Sequence, residues 1–152
     1  MADLYGVNYT KQYVNIPAEK IPAGEQMGRV RVAYDTYTTT GAIGDDVIYL
    51  MKIPKGARVL DVRVKHGAHG NSGTLDIGWL ASDDAVESED TDGFFNELAV
   101  NAAGSNGMEV STVNPVGINK KFAAECQVTV RKGATNTGSA AEIALAVFYV
   151  MD

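Results

Sequence analysis

Leu60, Val62 and Val64 occupy one parity of a two-residue alternation, and Asp61, Arg63 and Lys65 occupy the other. A β-strand turns successive side chains to opposite faces, so this pattern builds a sheet with one face buried and one in water. The same period returns at Leu75, Ile77 and Trp79 against Thr74, Asp76 and Gly78, and at Cys126, Val128 and Val130 against Gln127, Thr129 and Arg131. It occurs again at Val30, Val32 and Tyr34 against Arg29, Arg31 and Ala33, predicting a strand with one face in water that ends near Tyr37 or in Thr38-Thr39-Thr40-Gly41. Two further runs are apolar on both parities. Asp46–Ile53 reads as a strand covered on both sides or lying at an interface, and Ile143–Met151 as a central or doubly covered strand.

The joints between these runs carry turn chemistry. Pro54-Lys55-Gly56 presets φ at proline and leaves glycine free to take φ > 0. His66–Gly73 is a glycine-bearing link between two strands, and Lys132–Ser139 is a Gly/Thr/Asn turn. Phe94–Ala103 fits a strand or a short helix, and Ala102–Gly107 reads as a loop. The 16 glycines exceed the roughly 7% average and fall between apolar runs rich in Val, Ile, Thr and Tyr, which favours strands over helices. The expected fold is all-β: an antiparallel β-sandwich or jelly roll of about eight strands over residues 29–152. Its predicted core is Leu60, Val62, Val64, Leu75, Ile77, Trp79, Val128, Val130, Leu145 and Val147.

Residues 1–28 have a different character. They hold Tyr5, Tyr9 and Tyr13, the pairs Ile16-Pro17 and Ile21-Pro22, and no helix-length amphipathic pattern. Proline drives the residue before it toward extended geometry, so this segment is expected to be an extended N-terminal arm. Fully extended, 28 residues reach up to ~90 Å, well beyond the ~36 Å diameter implied by the compactness of a 124-residue body. Tyr5, Tyr9, Tyr13, Ile16 and Ile21 are the candidate interface residues of this arm.

With 19 acidic and 13 basic residues the net charge is −6, which argues against a nucleic-acid partner. No apolar run approaches the ~18–20 residues of a membrane span, and the N-terminus lacks a basic and apolar leader, so no membrane association and no cleaved secretion signal are expected. The single Cys126 closes no internal disulfide.

Motifs for chemistry are missing. His66 and His69 lie three apart but without flanking ligands, so a solvated turn is favoured over a metal pair. No G-x-S-x-G, P-loop or G-x-G-x-x-G occurs. Cys126 sits on an apolar strand face and is expected to be buried and inert. Asp83, Asp84, Glu87, Glu89, Asp90 and Asp92 form an acidic stretch whose Asp90-Thr91-Asp92-Gly93 imitates the opening of a calcium loop, but the terminal carboxylate is missing, so a surface loop held open by like-charge repulsion is expected. Trp79, two residues past Ile77, is assigned to the core in preference to a sugar-stacking platform. The reading is a non-enzyme with no catalytic, cofactor or metal site.

The run Ile53-Pro54-Lys55-Gly56-Ala57-Arg58-Val59-Leu60-Asp61-Val62 carries an I-P-x-G-A-x-V joint after an apolar strand. Thr74-Leu75-Asp76-Ile77-Gly78 comes next, and then the acidic stretch Asp83–Gly93. In this order the motifs resemble small virion structural proteins of tailed bacteriophages, of the head decoration (cement) type. The resemblance covers residues 28–93 and the closing apolar strand. It implies a structural protein of the virion, assembled in the host cytoplasm, that binds the major capsid protein or other virion subunits and stabilises the head. It also implies a homo-oligomer, a trimer being favoured. The alternative is a carbohydrate- or receptor-binding β-sandwich module of a phage tail or fibre.

Overall fold

The computed structural model describes residues 10–20, 28–70, 72–108 and 116–151. Eight strands run in chain order: β1 (Arg31–Thr38), β2 (Ile48–Ile53), β3 (Ala57–His66), β4 (Thr74–Ala81), β5 (Asp90–Ala99), β6 (Gly104–Gly107), β7 (Cys126–Lys132) and β8 (Glu142–Met151). They form two four-stranded sheets, β1-β8-β3-β6 and β2-β7-β4-β5, with every pairing antiparallel. First pairs with last throughout: β1 with β8, β2 with β7, β3 with β6 and β4 with β5. One long hairpin rolled upon itself gives this order, which is that of a jelly roll.

The turn at Pro54-Lys55-Gly56 forms as expected. Ala57 N–H donates to the Pro54 carbonyl (3.1 Å), and Gly56 takes φ +85°. A second glycine is needed for space: a Cβ built on Gly78 would sit 2.1 Å from the carbonyl oxygen of Asp90, so β5 crosses β4 there at backbone contact. The core lies between the sheets. Val62, Val64, Leu75, Ile77, Trp79, Val128, Val130, Leu145 and Val147 are all buried in it. Trp79 packs against Phe94 and Phe122, with ring centroids 5.1 Å apart in each case, and its indole N–H donates to the Ser88 carbonyl at 2.9 Å.

Leu60 departs from the expected core. The pairing of β3 with β8 slips between Val59 and Asp61, and the extra residue is Leu60, left half-buried. Ala57 and Val59 face inward before this bulge, and Val62, Val64 and His66 after it. A similar slip between Tyr49 and Met51 explains why β2 is apolar on both parities. It is an edge strand, with Ile48, Leu50 and Ile53 buried but Tyr49 and Lys52 exposed, so it is not covered on both sides. Central β8, between β1 and β3, agrees with its sequence. Of Phe94–Ala103, the first six residues are strand and complete β5, and residues 100–103 connect it to β6. Gly104–Gly107, expected as loop, adds β6 to β3.

Candidate interaction surface

The alternation at Val30, Val32 and Tyr34 is real, but its apolar side faces outward. Tyr34 is 66% exposed, Val32 54% and Val30 51%, whereas Ala33 and Asp35 are only half-exposed. The register with β8 gives the reason: Ala33, Asp35 and Tyr37 stand opposite the core residues Val147, Leu145 and Ile143, so the even-numbered positions point away from the core.

On that outer face Val32 is opposite Phe148 and Tyr34 opposite Ala146. One strand further in, Phe148 is opposite Asp61 and Ala146 opposite Arg63. Arg63 Nε donates to Asp61 Oδ2 at 2.8 Å. The result is an apolar stripe bordered by an ion pair, with Val32 and Tyr34 exposed and Ala146 and Phe148 half-buried. Contiguous exposed apolar surface rimmed by polar groups marks an interaction site more often than a solvated face.

The N-terminal candidates are only partly covered by the described residues. Tyr5, Tyr9 and Ile21 fall outside them. Tyr13 belongs to a single π-helical turn, Thr10–Val14, but its side chain lies outside the description. Ile16 is 98% exposed and touches no core. The described part of the expected extended arm is thus a turn and a length of exposed chain.

Among the described residues, His66, His69, Cys126, Trp79 and Glu87 are buried. Against the expected solvated turn, His66 ends β3 and is 4% exposed, and His69 is fully buried. Strand β3 runs further than its alternation suggests, and residues 133–141 close over the link: Gly138 and Ser139 N–H both donate to the His69 carbonyl. His66 Nδ1 lies 3.1 Å from the Gly67 carbonyl oxygen and its Nε2 3.2 Å from the Asn106 side-chain amide nitrogen. Both ring nitrogens of His69 lack a hydrogen-bond partner among the described residues. Burial lowers its pKa below the usual histidine value. The Ser139 backbone, near the ring without bonding it, opposes this in part, and the charge of His66 adds to it.

Cys126 is fully buried, and burial raises its thiol to about 11, so it carries no nucleophile. Trp79 is 1% exposed and presents no face to a sugar. The acidic stretch is not simply held open by repulsion. Asp90 and Asp92 belong to β5, and Glu87 turns inward to 7% exposure, where it meets Lys120 at 2.8 Å and accepts from Ala123 N–H at 2.8 Å. Burial would raise the Glu87 pKa, but these two bonds and the lysine charge outweigh it and hold the group below its ordinary value. No group of three or more His, Cys, Asp or Glu suited to a metal occurs among the described residues. A shallow depression of about 340 Å³ along β2, lined by Tyr49, Leu50, Met51, Lys52 and Gln127, is open and lacks convergent polar groups.

No protein-family model matches the chain, and no curated protein does. Solved structures do match its fold. A chain of the capsid asymmetric unit of cyanophage Pam1 superposes with a TM-score of 0.67 at 21% identity, over 91% of this chain and 96% of that one. A chain of the capsid of Ralstonia phage GP4 gives 0.60 at 19%, over 95% and 96%. One from the acid-stable capsid of Helicobacter pylori bacteriophage KHP30 gives 0.51 at 16%, over 80% and 87%. The chain therefore shares its jelly-roll fold, nearly end to end, with chains found in phage capsids.

Proposed function

We propose that this protein is a non-enzymatic structural component of a phage virion, a decoration (cement) subunit that binds the outside of the head and stabilises it. The observation that carries this reading is the outward-facing apolar stripe on which exposed Val32 and Tyr34 lie beside half-buried Ala146 and Phe148. The capsid chains of like fold support it: the Pam1 and GP4 chains are matched over 96% of their own length, so each is itself a small single-domain chain within a shell. The residues of the N-terminal arm, with Ile16 almost wholly exposed, provide a second region of attachment to neighbouring capsid subunits.

The mechanism is linkage. A subunit that binds only the assembled shell stabilises it by RT ln(1 + [L]/Kd), about 2.7 kcal/mol per site at a hundredfold excess over Kd. The burial of Trp79 withdraws that ring as a sugar-stacking platform. The test is add-back: phage heads assembled without this protein, titrated with it, should bind it saturably and resist heat better. Heads that neither bind it nor gain stability would refute the reading.

A further inference from the structure

An exposed sheet edge is a template for another strand, and proteins usually blunt it. Three of the four edges here are blunted. β6 is four residues long with two glycines. β5 slips register against β4 twice and holds Glu97 at φ +51°. β2 carries a bulge and an exposed lysine, Lys52. The fourth, β1, is different. It pairs with β8 through eight consecutive residues without a slip, and its sequence RVAYDTYT has no proline, glycine or lysine.

This strand is also complementary to itself. Two copies laid antiparallel and centred on Ala33 bring Arg31 opposite the partner subunit's Asp35, and Asp35 opposite the partner subunit's Arg31. Val32 then stands opposite the partner subunit's Tyr34, with the small Ala33 at the two-fold axis. Opposite charges and an aromatic against a β-branched residue are favoured cross-strand pairs, whereas like charges directly opposite are disfavoured. Shifting either copy by one residue along the strand separates Arg31 from Asp35 and opposes side chains of different kinds. Among the described residues Arg31 has no ion pair, and Asp35 accepts only from the amide of its neighbour Thr36 at 2.8 Å. Both are free to turn to a partner.

We infer that two copies of this chain associate through β1, antiparallel and in the register centred on Ala33, joining two four-stranded sheets into one of eight. Such a contact is isologous and closes as a dimer, unlike the trimer favoured by the sequence resemblance. It places the apolar stripes of both copies side by side on one face. The inference rests on the fold and the strand sequence, independently of the capsid reading.

The test is the mass of the full-length protein by light scattering over a concentration series, with charge-exchange variants. Wild type should pass from monomer to dimer. Asp35→Arg and Arg31→Asp, each of which opposes like charges twice per dimer, should raise the dimer Kd by about tenfold or more. The double variant Arg31→Asp/Asp35→Arg restores opposite charges across the axis and should recover dimerisation. Ala33→Cys should form an intersubunit disulfide under oxidation, with buried Cys126 as a silent background. The inference is overturned by a wild type that stays monomeric, by a trimer insensitive to these changes, or by a double variant no better than the singles. Circular dichroism of each variant separates loss of pairing from loss of fold.

Discussion

The Glu87 carboxylate meets the Lys120 ammonium at 2.8 Å beneath the acidic stretch, and Lys120 lies 5.4 Å from the centre of the Trp79 ring. The pair ties the loop before β5 to the segment leading to Phe122, and so closes the aromatic cluster at that end of the core. Removing the lysine alone strands a buried carboxylate. Breaking a fully buried pair costs about 3–5 kcal/mol, but Lys120 keeps 28% of its side-chain surface in water. We therefore expect Lys120→Met to cost about 2 kcal/mol in urea unfolding, and the double variant Glu87→Gln/Lys120→Met to recover much of that loss.

The two inward-turned groups set a pH dependence in two steps. His69 has a lowered pKa, so the unfolded chain binds a proton more readily, and stability should fall as pH drops below the ordinary histidine value near 6.5. Glu87 is also held below its ordinary value near 4.5, and its contribution, complete above that value, is lost as pH falls through the lowered pKa. Melting temperature against pH should decline over both ranges. His69→Met should flatten the upper step and leave the lower one; an unchanged upper step would place its origin elsewhere.

Gly78 should tolerate no side chain. A Cβ there meets the Asp90 carbonyl and the backbone of Thr91 and Asp92, none of which is the end of a flexible side chain. Gly78→Ala should therefore cost about 1–3 kcal/mol, the range for overpacking, measured as a lowered urea midpoint.

The alternation on β3 permits a paired test of facing. Val62 is fully buried, and Val62→Asp should abolish soluble folding because an unpaired carboxylate there loses several kcal/mol of hydration. Arg63 points outward, with 59% of its side chain exposed, and Arg63→Asp should fold, at a cost of about 1 kcal/mol from the lost pair with Asp61. Urea curves of both variants check this.

Periodicity carried much of the fold. Val62, Val64, Leu75, Ile77 and Trp79 lie where their alternation puts them, because a strand's two-residue period follows directly from backbone geometry. The half-buried place of Leu60 and the change of face within β2 both come from bulges, each of which exchanges the two faces of a strand by adding one residue, and nothing in the local composition announces that. The outward stripe was present in the sequence as Val30, Val32 and Tyr34. Alternation gives two faces but not which of them meets the core, and only the register against β8 decides it. The inward turn of Glu87 depends on Lys120, 33 positions away, a pairing that a local reading of an acidic stretch does not contain.

The arm makes a separable prediction. Deleting residues 1–27 should leave the melting temperature of the body nearly unchanged, since Val14 and Ile16 are exposed and add nothing to the core. The same deletion should weaken binding to heads. A truncated protein that melts early and still binds normally would make these residues part of the body.

The most direct test of the docking surface is co-sedimentation with phage heads assembled without this protein, comparing wild type with Tyr34→Glu and Phe148→Glu. Tyr34 lies on the edge strand and Phe148 one strand further in, so the second variant probes the face without altering β1 itself. Both variants should remain folded by circular dichroism and should lose at least about tenfold in affinity for the heads, as expected when a charge is placed within an apolar contact. Folded variants that bind as tightly as wild type would contradict the claim that this face docks on the capsid.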